Sequence, residues 1–276
     1  MFDPAQPDSN NQPVQPRIDT LPEALLFDFG DTLMEIDGPH RRRGIEALLT
    51  YAVNLEPPAR ETAHGLAPAA AREALIDQLA QFGRSLDQRF ETLCARHNLE
   101  YRQTDFHRLL YGKFGIDFSI DQDELEQRYW DASLTMRPEA GLPPLLDELS
   151  RRGIRMAVIS NTTYRAPVLQ RELERHRLMH HFEFVMASAD FGIRKPDPLL
   201  YEIALQRMHL PPASAWYAGN MTTVDCTGAA AAGLRPLWYA SPDLKAGRYD
   251  SERPKLPADS LLIPHWTALQ HALPTA

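Results

Sequence analysis

The 276-residue chain has only two cysteines, Cys94 and Cys226, and no apolar run that approaches the roughly 18 residues of a membrane-spanning helix. Two cysteines exclude a disulfide framework and a cysteine-based metal site, which fits a reducing cytoplasm. The N-terminus also lacks the charged-then-apolar order of a signal peptide. We therefore expect a cytoplasmic protein without a membrane partner.

Basic residues are scarce as well. The chain has 29 lysines and arginines against 37 acidic residues, which gives a formal net charge of −8 at pH 7. This balance argues against nonspecific binding to nucleic acid. Hydrophobic residues make up 43% and charged residues 24% of the chain, a composition typical of a globular protein with a sizeable core. The length fits one large or two modest domains.

The patterning divides the chain into three parts. Residues 1–20 are polar and rich in proline, which predicts a disordered tail. Residues 36–138 form an all-helical insertion, in which the segment Ala69–His97 repeats apolar residues every three or four positions. Strands alternate with helices in the remainder, residues 21–35 and 139–276, and this alternation predicts a three-layer α/β core with a parallel, Rossmann-like sheet.

The insertion follows closely on a short apolar run, Leu25–Phe27, which reads as a buried strand that ends at Asp28. In open α/β sheets, ligands bind in the crevice beyond the carboxyl ends of the strands. A carboxylate at that place serves as a nucleophile, a general base or a cation ligand. The alternative is an aspartate that only begins a turn.

Three other stretches lead to the same edge. Ser160 follows a second predicted strand, Lys195 precedes a helix, and the loop after a third strand holds Asn220 and Asp225. Because parallel strands end at one edge, we expect these side chains to meet Asp28 around one crevice. A carboxylate, a hydroxyl, an ammonium and an amide–carboxylate pair suit a phosphate or another oxyanion beside a divalent cation.

The segments that carry these residues resemble, in the right order, the four motifs of the haloacid dehalogenase-like hydrolase superfamily. They are residues 27–33 (FDFGDTL), 158–161 (VISN), 192–198 (GIRKPDP) and 217–225 (YAGNMTTVD). The resemblance covers about residues 21–275, and the helical block stands where that family inserts a cap domain. It implies a hydrolase, with a small phosphorylated metabolite as its substrate.

The resemblance also assigns roles. Asp28 would be the nucleophile that takes the phosphoryl group as an aspartyl-phosphate. Ser160 would donate a hydrogen bond to a phosphoryl oxygen, and Lys195 would balance the negative charge. Thr32 and Asn161, which lie in the same motifs, are assigned to substrate binding. Phosphoryl transfer depends mostly on positioning and electrostatics, so this set suits the reaction.

A Mg²⁺ ion would be held by Asp28, the backbone carbonyl of Gly30, Asn220 and Asp225. Two of these positions depart from the family's phosphatases. Gly30 stands where a second aspartate usually acts as general acid and base, a function worth about 10²–10⁴ in rate. Asn220 stands where a metal-binding aspartate is usual, and an amide oxygen ligates without charge, so we expect weaker cation binding.

A basic run, residues 40–43 (HRRR), opens the helical block. It places Arg41 near the expected hinge of the cap, where an arginine suits a substrate anion. The alternative is a solvated basic start of a helix.

The two departures leave three interpretations open. The first is a Mg²⁺-dependent phosphatase, slow or specialised for leaving groups that need no proton, and the sequence favours it. The second is a metal-independent hydrolase similar to the haloacid dehalogenases, in which Asp28 attacks carbon. The third is a binding or regulatory protein that keeps the fold without turnover.

Overall fold

The computed structural model describes residues 18, 20–55, 68–240 and 256–274. Most of the predicted tail, residues 1–17 and 19, lies outside the described residues. The tail prediction was wrong at Ile18, which is buried and packs in the main hydrophobic cluster. An isolated apolar residue in a polar stretch gave no periodicity by which to recognise this contact.

A six-stranded parallel sheet forms the centre of the molecule and confirms the predicted fold class. The eight strands of the described chain are β1 (Ala24–Phe27), β2 (Met34–Asp37), β3 (Thr135–Pro138), β4 (Arg155–Ser160), β5 (Val185–Ala187), β6 (Ala215–Gly219), β7 (Arg235–Tyr239) and β8 (Leu261–Ile263). The strand order in the six-stranded sheet is β5-β4-β1-β6-β7-β8, so β1, the strand that precedes Asp28, lies in the middle.

Helices cover both faces of this sheet. The helices of the described chain are α1 (Arg41–Leu48), α2 (Pro68–His97), α3 (Gln103–Gly112), α4 (Gln122–Ser133), α5 (Leu142–Arg151), α6 (Ala166–Arg175), α7 (Ser188–Phe191), α8 (Leu199–Met208), α9 (Thr227–Ala231) and α10 (Trp266–Ala272). Because side chains alternate along a strand, Leu25 and Phe27 pack in one cluster with α5, α6 and α10, while Ala24 and Leu26 pack in a second cluster with α8 and α9. None of the described helices is at once long and apolar enough to cross a membrane.

Helices α1 to α4 pack around a third cluster of their own, which includes Ile45, Leu79 and Phe106. The predicted apolar stripe of α2 is buried at Leu79 and Leu86. It ends earlier than predicted, because Leu93 is 65% exposed.

The expectation of a block without strands was wrong at the two ends of residues 36–138. There β2 and β3 pair in an antiparallel two-stranded sheet, with Met34 opposite Pro138 and Asp37 opposite Thr135. This small sheet leads the chain out of the core and back into it. Strands of four residues, one of which ends in a proline, are too short to show a period of two in the sequence.

Trp266 ties the last helix to the loop after β1. Its side chain is fully buried, its indole N–H donates to the Thr32 carbonyl at 3.0 Å, and its ring stacks on Tyr239 with centroids 4.4 Å apart. We expect Trp266→Phe to lower the free energy of unfolding by about 1–3 kcal/mol, because it loses the hydrogen bond. Trp266→Ala should cost about 3–5 kcal/mol, because it also leaves a cavity.

Urea denaturation measures both values. Leu199→Ala, at a residue that is 46% exposed, is the control and should stay within about 0.5 kcal/mol of the parent. A Trp266→Ala protein as stable as this control would contradict the assignment.

Candidate active site

Asp28 is fixed where β1 ends. Its backbone N–H donates to the Ala218 carbonyl of β6 at 2.8 Å. The chain then turns through Asp31, whose φ is 53°, and the Asp31 carboxylate accepts from the Ile36 N–H at 3.0 Å. The Thr32 hydroxyl donates to Asp28 Oδ2 at 3.2 Å. The turn therefore holds the carboxylate at the edge of the sheet.

Lys195 is the centre of the site. Its Nζ lies 2.7 Å from Asp28 Oδ1, 2.7 Å from Asp225 Oδ1 and 2.6 Å from the Tyr217 hydroxyl. The residue is only 2% exposed. A buried ammonium ion needs such partners, because it has lost its hydration.

The pKa values in this cluster reflect burial and charge together. Burial raises the pKa of Asp28 to about 6, although the Lys195 ammonium opposes the rise. Burial works against the charge of Lys195, but Asp225 and Asp28 outweigh it and hold the lysine pKa above its ordinary value. Lys195 is thus a permanent cation, and Asp28 is mostly ionised at neutral pH.

Asn161 holds this lysine in place. Its side-chain N–H donates to the Lys195 carbonyl at 2.8 Å, and its Oδ1 accepts from the Lys195 N–H at 2.8 Å. Asn161 lines the cavity, yet both polar atoms of its side chain bind the lysine backbone. In this structure Asn161 therefore positions Lys195, and its assignment to substrate binding stays a prediction.

The assignment of Thr32 to substrate binding also stays a prediction, and the contacts of its side chain do not support it. Thr32 is fully buried, and its hydroxyl binds the Asp28 carboxylate rather than facing the cavity. Sequence motifs show which residues lie near a nucleophile but not in which direction their side chains point.

The other predicted residues line one cavity of about 490 Å³ between the sheet edge and helices α1, α2 and α4. They are Asp28, Gly30, Arg41, Ser160, Lys195, Asn220 and Asp225. The convergence expected from parallel strands is therefore present in the structure.

Oxygen donors suited to Mg²⁺ lie beside the nucleophile. The Asn220 side-chain N–H donates to the Gly30 carbonyl oxygen at 3.4 Å, so the Asn220 amide group and this carbonyl lie side by side in the cavity that Asp28 lines. Asp225 is differently engaged, since Oδ1 accepts from Lys195 and Oδ2 from the Met221 N–H at 2.9 Å. The Asp28 carboxylate, the Gly30 carbonyl and the side-chain oxygen of Asn220 are the kinds of donor that fit a hard divalent cation.

Arg41 faces the cavity from the side of the helices. It pairs with Asp87 of α2, and Asp87 also accepts from the Tyr101 hydroxyl at 3.4 Å. The neighbouring Arg42 instead pairs with Glu73 and Asp77 on the surface. Arg42 therefore fits the alternative of a solvated basic start of a helix, and the assignment of Arg41 to a substrate anion stays a prediction.

Two residues of the site, Tyr217 and Asp87, were not predicted from the sequence. Tyr217 lies in the middle of a buried strand, where an aromatic residue is typical of the core. A buried tyrosine hydroxyl needs a hydrogen-bond partner, however, and this requirement could have indicated a polar neighbour. Asp87 meets Arg41 across 46 residues of chain, and nothing local in the sequence indicates that pair.

The sequence model of the haloacid dehalogenase-like hydrolase family matches residues 22–233, more than three quarters of the chain. The chain belongs to this family. It is similar to human "Haloacid dehalogenase-like hydrolase domain-containing protein 3", with 30% identity over 258 residues that cover 91% of this chain and 96% of that protein.

A Thermus thermophilus relative named "Phosphoserine phosphatase" is 39% identical over 121 residues, which span 40% of this chain and less than half, 47%, of that protein. Among solved structures, the 2-haloacid dehalogenase of Pseudomonas syringae superposes with a TM-score of 0.59 over 92% of this chain and 98% of that one. At 21% identity, this likeness shows the shared fold alone.

Removal of the Tyr217 hydroxyl tests whether the hydrogen bonds around Lys195 matter for activity. We expect Tyr217→Phe to lower kcat/KM for hydrolysis about tenfold, because a hydrogen bond to a charged group is worth about 1.5–3 kcal/mol and about 1.4 kcal/mol is a factor of ten. Tyr239→Phe is the matched control, since its hydroxyl bonds Glu139 at 2.9 Å and neither residue lines the cavity. An equal loss of activity in both variants would argue against a role for Tyr217 in the site.

Proposed function

We propose that this hydrolase is a Mg²⁺-dependent phosphatase of a small phosphorylated metabolite, which works through an aspartyl-phosphate on Asp28. One observation carries the proposal: a buried Lys195 ammonium binds both Asp28 and Asp225 at 2.7 Å, at the edge of a parallel sheet. A fixed cation beside a nucleophilic carboxylate offsets the repulsion that an approaching phosphate meets. The name of the Thermus relative supports the same reaction.

In this mechanism an Asp28 oxygen attacks phosphorus and the bond to the leaving oxygen breaks. The leaving group departs as an anion and takes its proton from solvent. Ser160, which is buried at the end of β4, donates its hydroxyl to a phosphoryl oxygen. Lys195 keeps its proton and offsets the added charge. Water then attacks phosphorus, the bond to Asp28 breaks, and the products are inorganic phosphate and the free carboxylate.

Asp28, the Gly30 carbonyl and the side-chain oxygen of Asn220 would hold the Mg²⁺ ion. Bound there, the ion supplies positive charge to the phosphoryl oxygens. Asp225 is bonded to Lys195, so the Mg²⁺ ion would have fewer negatively charged ligands than it would have in a site with an aspartate at position 220.

Removal and strengthening of the metal site provide the direct test. We expect a chelator to abolish phosphate release, and Asn220→Asp to lower the Mg²⁺ concentration for half-maximal activity roughly tenfold, because it adds a negative ligand. Asn98→Asp makes the same charge change outside the cavity wall and should have no such effect. Asp28→Asn serves as the inactive blank.

Two results would overturn the proposal. One is phosphate release that persists after complete chelation. The other is turnover of haloacids, but not of phosphate esters, by the metal-free protein.

The missing proton donor at position 30 gives a second test. A Cβ atom at Gly30 would lie 2.8 Å from Ile36 Cδ1, the flexible end of a side chain, so the substitution is best made with Ile36→Val. In that background we expect Gly30→Asp to speed hydrolysis of alkyl phosphates by about 10² or more, and of acyl phosphates far less, because only the alkyl leaving group needs a proton.

Gly30→Asn in the same background is the control, since it has the same shape without a titratable proton. A rise that is equal for alkyl and acyl phosphates, or equal in the asparagine variant, would contradict the role assigned to Gly30.

A further inference from the structure

The wall of the cavity beside the nucleophile is built from aromatic rings. Phe29 follows Asp28 directly, and its ring centroid lies 6.4 Å from that of Trp130. The Trp130 ring meets Tyr164 edge to face at 4.8 Å. Tyr101 and Tyr129 line the same cavity. The row of rings therefore starts beside the reacting carboxylate. In an in-line displacement the leaving group of a phosphate ester lies on the far side of phosphorus from Asp28, toward the cavity that these rings line.

These rings are held by their own partners. The Trp130 indole N–H donates at 3.0 Å to Glu172, a buried carboxylate of α6. Tyr101 stacks on Phe90 with ring centroids 4.4 Å apart, and its hydroxyl donates a hydrogen bond to Asp87. With their polar atoms already bonded, Trp130 and Tyr101 present ring carbon rather than a free polar atom to the cavity.

The carboxyl groups of this wall have partners in the protein. Asp31 accepts from the Ile36 N–H, Asp87 pairs with Arg41, and Glu91 pairs with Arg194. Asp225 is bonded to Lys195, as described above. Among the described residues that line the cavity there is no histidine, and each carboxyl group, the nucleophile included, is engaged by a protein partner. The described wall therefore offers neither a histidine nor an unengaged carboxyl group to protonate the leaving oxygen.

An aromatic leaving group satisfies both observations. A phenol-type oxygen departs as a stabilised anion, so it does not require the missing acid. Its ring packs against the row of Phe29, Trp130 and Tyr164 in offset or edge-to-face contacts. A cavity of about 490 Å³ has room for one or two rings and a phosphate, within the usual range of small-molecule sites.

We propose that the substrate is an aryl phosphate, a phosphate monoester of a phenol-type hydroxyl on a small aromatic molecule. The inference rests on the proposed phosphatase function and adds the class of leaving group to it. The bond that breaks is the one between phosphorus and the aryl oxygen, the phosphoryl group passes to Asp28, and the phenolate takes its proton from solvent after departure.

Two pairs of substrates separate the need for a ring from the need for a good leaving group. Phenyl and cyclohexyl phosphate are similar in size but differ both in aromaticity and in leaving-group pKa. Benzoyl and acetyl phosphate have similar leaving-group pKa but differ in the ring. We expect kcat/KM to be about 10² or more higher for phenyl than for cyclohexyl phosphate. It should be about tenfold higher for benzoyl than for acetyl phosphate.

A binding measurement does not depend on turnover. Benzylphosphonate cannot be hydrolysed, and cyclohexylmethylphosphonate is its aliphatic counterpart of similar size. With the Asp28→Asn protein in the presence of Mg²⁺, we expect benzylphosphonate to bind several-fold to about tenfold more tightly, because only an aromatic ring makes the ring contacts.

Tyr164→Leu keeps apolar bulk but removes one ring of the row, so it should reduce the benzoyl-to-acetyl ratio several-fold. Phe184→Leu changes a ring that does not line the cavity and should leave that ratio unchanged. If Tyr164→Leu does not fold, the substrate pairs and the phosphonate pair on the parent chain still decide the question.

The outcomes separate the two proposals. Equal rates for benzoyl and acetyl phosphate, or equal binding of the two phosphonates, would overturn the aryl class while leaving the phosphatase proposal intact. A cyclohexyl rate equal to the phenyl rate would do the same. Failure to hydrolyse any of the four phosphates would overturn both.

Discussion

The structure depends on one buried cation shared by two carboxylates. Lys195 lies between Asp28, which directly follows β1, and Asp225, in the segment that follows the neighbouring strand β6. Without the ammonium, two carboxylates would share a dry edge of the sheet at a large electrostatic cost. Asn161 holds the lysine backbone and Tyr217 supplies its third acceptor, so segments far apart in sequence meet at this charge.

The charge balance of the site follows from that arrangement. Two carboxylates and one ammonium leave a single net negative charge, to which a phosphate dianion must be added. Gly30 and Asn220 each omit a carboxylate that the family's phosphatases usually have. The site is therefore less anionic than the family pattern. In the proposed mechanism this eases the approach of a phosphate, weakens the binding of a metal ion and leaves the leaving group without an acid.

Much of this arrangement could be predicted from the sequence, because alternation of strands and helices places the ends of parallel strands together. The grouping of Asp28, Ser160 and Lys195 follows from that rule. Three kinds of feature could not be predicted. The strands β2 and β3 are too short to show periodicity, the directions of the Thr32 and Asn161 side chains depend on local turn geometry, and the Arg41–Asp87 pair joins helices that only tertiary packing brings together.

If Asp28 takes the phosphoryl group, chemical trapping of the acyl phosphate will detect it directly. The protein is mixed with Mg²⁺ and phenyl phosphate, quenched rapidly, treated with borohydride to trap an acyl phosphate by reduction, and digested for peptide mass spectrometry. We expect the reduced residue at position 28 in the parent protein. We expect no reduction at Asp31, and none in the Asp28→Asn variant. Steady phosphate release without any modification of Asp28, or release that persists in Asp28→Asn, would contradict it.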